Sequence, residues 1–200
     1  SDLRTDDGRT ALTRLLQTSH VFVQGYRPGA LASLGFGPHE AAQRRPGIVY
    51  VSLCAYGNDG PWRDRRGFDS LVQTATGFNL AEAEAAGTQA PKPMPMQILD
   101  YATGHLMAFA AAAALRRQTI EGGSWHVQVS LAQTAHWLRA MGRVADGFAA
   151  PPVDRAAYLE TVPSGFGELC AIRHSVQLSR TPLREARPSM PSGSHPAVWP

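Results

Sequence analysis

Ile48-Val49-Tyr50-Val51-Ser52-Leu53 is apolar at all but one position and shows no alternation. A run of this kind reads as a strand covered on both faces, as in a parallel sheet. Upstream, residues 5–18 carry a helical pattern. Thr5 suits a cap, Asp6 and Asp7 the first turn, and Leu12, Leu15 and Leu16 share one face. His20 to Gln24 is a short β-rich run, stopped by Tyr26-Arg27-Pro28-Gly29. Ala30 to Leu34 reads as one helical turn, and Pro38 to Arg45 as another with a proline near its start. Helix, strand, helix, strand predicts an α/β architecture with parallel strands.

Downstream, Tyr56 to Gly67 is a loop by composition, and Asp69 to Phe78 reads as a helix capped by Asp69. Glu82 to Pro95 is rich in Ala, Gly and Pro and reads as flexible. Asp100 to Arg117 is apolar nearly all round, which predicts a buried helix ending before Gly122-Gly123. Ser124 to Val129 alternates as a strand, and Leu131 to Met141 follows as a helix. Glu168 to Ile172 and Val176 to Leu178 are expected to pair, and the tail from Arg187 to Pro200 to be extended. The expected division is residues 1–141 as the main α/β region and residues 142–200 as a C-terminal segment of short strands and tail.

The balance of 44% hydrophobic and 18% charged residues over 200 positions excludes a disordered chain. The apolar run Leu106 to Leu115 falls short of the roughly 18 residues that span a bilayer. Ser1 to Arg9 lacks the apolar core of a signal peptide. Two cysteines, Cys54 and Cys170, make neither a disulfide framework nor a metal cluster. These features point to the cytoplasm and to no membrane partner. The net charge is +3 and the pI about 9.2, but the arginines are scattered. That distribution suits a small anionic ligand better than nucleic acid. No phosphate-cradling glycine loop, nucleophile elbow or metal-ligand spacing among the seven histidines is present, so no metal site is expected.

Three places can carry chemistry. Gly25-Tyr26-Arg27-Pro28-Gly29 directly follows a strand, where open α/β sheets hold ligands; it also reads as a plain connecting turn, the commoner outcome. Arg63-Asp64-Arg65-Arg66 sits on a Gly/Pro loop, either as a phosphate clamp or as a solvated charged surface. Asp100 opens the apolar helix, either as its cap or as a carboxylate nucleophile towards a thioester.

An ordered series of segments resembles the family III CoA-transferases, the CaiB/BaiF type. Val23-Gln24-Gly25-Tyr26-Arg27-Pro28-Gly29 resembles the family's Val-Glu-Asn-Phe-Arg-Pro-Gly, with Leu34-Gly35-Phe36 following. Ile48 to Ser52 and Tyr56-Gly57-Asn58-Asp59-Gly60-Pro61 resemble its strand and Gly-x-x-Gly-Pro loop. Gly67-Phe68-Asp69 is similar to its Gly-Tyr-Asp, and Ile98-Leu99-Asp100 falls on its catalytic aspartate. Gly123 to Leu131 resembles its Gly-Gln-x-Val-x-Val-Ser-Leu. The likeness spans roughly residues 3 to 135.

The resemblance implies a Rossmann-like domain that moves coenzyme A between an acyl-CoA and a carboxylic acid. Asp100 would carry the aspartyl intermediates, and Gly25, Tyr26, Arg27, Ala30 and Arg66 would lie against CoA. CoA and acyl-CoA are then substrates, with no permanently bound cofactor. Gly25 stands where the family has asparagine. The family's first strands have no counterpart here, so the chain is expected to be an incomplete domain, working as a homodimer or beside an N-terminal half. Two other functions are open: an acyl-CoA racemase, whose histidine position is Phe68 here, and a silent CoA-binding half.

Overall fold

The structure, a computed structural model, describes residues 2–181 and 188–199. Its centre is the strand β2 (Val49–Cys54), flanked in parallel by β1 (Val21–Gln24) and β3 (Trp125–Ser130) in the order β1-β2-β3. This meets the α/β expectation. Strand β2 lacks alternation because both its faces are covered. On one face, α1 (Asp6–Thr18), α2 (Pro38–Arg44) and the turn between β1 and α2 bring Leu16, Leu31, Phe36 and Ala41 against Ile48 and Tyr50. On the other, Val49 and Val51 meet Ala114 of α5 (Ile98–Glu121), with Met107 and Ala111 packed alongside. Thr5 caps α1 as expected, its hydroxyl accepting from the Gly8 N–H at 3.1 Å.

The expected helix Asp69 to Phe78 is two helices, α3 (Asp69–Ala75) and α4 (Phe78–Ala85). Gly77 separates them at φ +84, a left-handed conformation that ends one helix and starts the next. Part of the expected flexible stretch from Glu82 is therefore helical. α6 (Leu131–Ala140) starts directly at the end of β3, with Ser130 as cap accepting from the Gln133 N–H at 3.2 Å. A third cluster, Val72, Leu99, Leu131 and Ala135, ties α3, α5 and α6 together, with Leu53 and Tyr56 beside it.

The expectation that the long apolar helix is buried is corrected. α5 runs 24 residues, long and apolar enough by length and composition to cross a membrane, yet only Leu99, Thr103 and Ala114 along it are fully buried. Tyr101, Phe109 and Ile120 are exposed. The reason is geometric: a helix lying on one face of a three-stranded sheet can bury one stripe. Alanines on the remaining arc make the composition apolar without a partner to cover them.

Contacts divide the chain into residues 1–148 and 149–200. In the second unit, β4 (Leu159–Ser164) and β5 (Gly167–Ile172) form an antiparallel hairpin. The partner of β5 is thus Leu159–Ser164, not Val176 to Leu178. Closure across the two residues Gly165 and Phe166 is entropically the cheaper pairing, and Gly167 at φ +95 supplies the turn. Pro188 to Trp199 contains neither helix nor strand; Arg187 and Pro200 lie outside the described residues.

Candidate active site

The carboxyl ends of the three strands frame a cleft of about 180 Å³. The parallel register aligns Gln24, Ser52 and Gln128 across it. One step back, Phe22, Tyr50 and His126 form a second row, ring against ring at 5.2 and 5.3 Å. The period of two along a strand puts both rows on the same sheet face. Ser52 Oγ and His126 Nε2 are 2.8 Å apart, and the Tyr50 hydroxyl donates to the Phe36 carbonyl at 3.0 Å. Burial pushes the His126 pKa down, which favours a neutral ring able to accept or donate.

Beyond β1 the chain turns sharply. Tyr26 N–H donates to the Gln24 side chain at 2.7 Å, and Ala30 N–H to the Arg27 carbonyl at 3.0 Å. Gly29 adopts φ +79. The turn places Tyr26 and Arg27 in the cleft wall, facing Asn58 from the loop after β2. Gly25 and Ala30 belong to the same turn but do not line the cleft. Nor does Arg66. Its neighbours are engaged locally, Arg63 with Asp64 at 3.3 Å and Arg65 over the Trp62 ring at 4.5 Å. Phe68, 81% exposed, precedes α3.

Asp100 is not the cap of α5; that position is Gln97, whose side chain makes no capping bond. Asp100 is the third helical residue, and its carboxyl group is solvent-accessible. Its backbone N–H donates to the Asp69 carboxylate at 2.9 Å. Asp69 is 1% exposed and also accepts from Gln73 Nε2, which in turn donates to the Met96 carbonyl at 3.1 Å. Thus a carboxylate from α3 meets one of the first N–H groups of α5, which have no partner within their own helix. Partial desolvation, and then the Asp69 charge, push the Asp100 pKa above the ordinary aspartate value. Leu99, beside Asp100, packs in the same cluster as Leu53, which lines the cleft, so the strand ends and the head of α5 share one packed frame.

Sequence reasoning missed Ser52, His126 and Gln128 as cleft residues and Asp69 as the anchor of α5. For His126 and Gln128 a signal exists, polar side chains at alternate positions of an otherwise apolar strand, and Ser52 is the one polar position in its run. For Asp69 the likeness of Gly67-Phe68-Asp69 to the family's Gly-Tyr-Asp marks the position but not its partner, which is 31 residues away.

The family model described as CoA-transferase family III matches residues 2–144. A probable fatty acyl-CoA transferase of Mycobacterium tuberculosis, Rv3272, is 34% identical over 139 residues, covering 70% of this chain and 35% of that protein. Its orthorhombic crystal structure matches with a TM-score of 0.65, covering 70% of this chain and 39% of the other. A succinate–glutarate CoA-transferase of Agrobacterium fabrum is 28% identical over 131 residues, covering 66% of this chain and 32% of that protein. The chain spans about a third of the length of these relatives. A match running through the strands, the turn after β1 and the head of α5 leaves one assignment: the chain belongs to the family III CoA-transferases.

Proposed function

We propose that the protein moves coenzyme A from an acyl-CoA to a carboxylic acid, with Asp100 as the acyl-carrying nucleophile. The observation that carries this reading is the state of Asp100. Its backbone is fixed by Asp69, its carboxyl group is accessible, and its pKa lies above that of an ordinary aspartate. A more basic carboxylate is a better nucleophile, provided it is still ionised at working pH. An oxygen of Asp100 attacks the thioester carbonyl, and the C–S bond breaks. The products are a mixed anhydride and CoA thiolate. The thiolate then attacks the aspartyl carbonyl, releasing the donor acid and leaving CoA as a thioester on Asp100. The acceptor carboxylate attacks that thioester, forming a second anhydride. CoA thiolate cleaves it at the acceptor's acyl carbon, giving the new acyl-CoA and free Asp100.

CoA is assigned to the cleft at the strand ends. Tyr26 offers a ring and Arg27 a forked guanidinium suited to phosphate, with Gly25 and Ala30 shaping the turn and Arg66 supplying a further cation from the neighbouring loop. Apart from CoA and the acceptor acid, the reading needs no permanently bound cofactor. The protein partners the reading takes are a second copy of the chain or a complementing N-terminal half.

The test is Asp100→Asn in the whole natural protein. Turnover between an acyl-CoA and a free acid should fall to background while the circular-dichroism spectrum persists. Mass spectrometry of the wild type after acyl-CoA exposure should locate the adduct on Asp100. An adduct mapped elsewhere, or full activity in the variant, ends the claim.

A further inference from the structure

A second cleft, about 580 Å³ and outside the CoA assignment, opens between α3, α4 and residues 93–97. Its apolar wall is Leu71, Met94 and Met96, and its polar groups, Gln73 and Thr74 among them, are neutral. No lining residue carries a charge. Leu71 is 52% and Met96 48% exposed, so apolar side chains stand open here.

The cleft shares its frame with the head of α5. Gln73, which lines it, donates to both the Met96 carbonyl and the Asp69 carboxylate; Asp69 holds the Asp100 N–H. Gln97 lines the cleft and caps α5. Asp100 follows three residues later, less than one helical turn and about 5 Å along the axis. A chain attached to a carbonyl bonded at Asp100 therefore has an open, uncharged cleft with an apolar wall within a turn of it.

We propose that this cleft receives the acyl portion of the thioester, and that it selects an uncharged aliphatic chain over a short or carboxylated one. The proposal rests on the reading of Asp100 as nucleophile. The chemistry of the wall argues for the class of substrate. A terminal carboxylate entering the cleft would lose water and find no cation, with the buried Asp69 carboxylate behind Gln73 as an unfavourable neighbour. An aliphatic chain meets two thioethers on unbranched, adaptable side chains, a surface that accommodates varied apolar shapes. The size falls within the range of small-molecule sites.

The experiment uses the whole natural protein and three probes: acetyl-CoA, hexanoyl-CoA and succinyl-CoA. The rate of Asp100 acylation is read by rapid quench and mass spectrometry. Hexanoyl-CoA should exceed both others at least tenfold in second-order rate. Met96→Lys supplies a cation in the wall, so the hexanoyl-to-succinyl ratio should drop tenfold or more. Leu71→Gln, at a second half-exposed position, should lower the hexanoyl-to-acetyl ratio and serves if the first variant misfolds. Equal rates for the three wild-type reactions would overturn the proposal, as would variants that slow all three esters alike. Failure of every ester to label Asp100 would instead sink the nucleophile assignment, and this proposal with it.

Discussion

The Asp69 carboxylate holds the backbone N–H of Asp100 and leaves the Asp100 carboxyl group outside that bond. This arrangement has an energetic and a catalytic consequence. Energetically, Asp69→Ala would leave the part-buried Asp100 N–H without its acceptor and would take one of two acceptors from the Gln73 amide, which keeps the Met96 carbonyl. An orphaned donor costs about 1–3 kcal/mol. Asp69→Asn keeps an acceptor oxygen and removes the charge, which separates the two roles. The Asp100 pKa is raised first by desolvation and second by Asp69. Nucleophilic attack needs the ionised form, so activity should fall as pH drops through a value above that of an ordinary aspartate. In Asp69→Asn the desolvation remains but the repulsion goes, so the acid limb of kcat/KM should move to lower pH. A pH–rate profile of both proteins checks this, and an unmoved limb would contradict the coupling. Gly25 offers a second residue-scale prediction. Its φ is outside the left-handed region, and an added Cβ would meet only Leu53 Cδ2, at 3.9 Å. Gly25→Asn should therefore leave stability within about 0.5 kcal/mol. Restoring the family's asparagine should tighten CoA binding. Calorimetric titration with CoA and a urea melt read the two effects separately.

Among the elements, β2 and α5 respond differently to the same kind of sequence. Both are apolar with little periodicity. In β2 this reports true burial, because strands lie on both sides and helices on both faces. In α5 it does not. One stripe packs on Val49, Val51 and Trp125, and the opposite arc carries Phe109 at 74% exposure together with Tyr101 and Ile120. Exposed apolar side chains along one face of a helix favour association. Phe109→Glu should consequently leave the melting of the 1–200 chain nearly unchanged, since the ring makes little of the core. Self-association of that chain, read by sedimentation velocity, should decrease. A large loss of thermal stability would show that Phe109 packs inward after all.

For the whole molecule, the decisive feature is the short parallel sheet. β1 and β3 are both edges among the described residues, and each presents unpaired backbone groups. Together with the uncovered arc of α5, these edges predict that residues 1–200 expressed alone will associate and will not transfer CoA. A stable monomer with transferase activity would refute this. Much of that frame was legible in the sequence. The nearly continuous apolar run at 48–53 implied a central covered strand, and the glycine-bracketed segment after residue 24 implied a turn at a strand end. These are local patterns, set by side-chain periodicity and by the backbone freedom of particular residues, so the chain alone determines them. The cleft row Gln24–Ser52–Gln128 and the anchoring of Asp100 by Asp69 depend instead on strand register and on a helix packed 31 residues away. So does the bare side of α5: whether an apolar helix is buried depends on how many elements reach it, and only the tertiary structure decides that number.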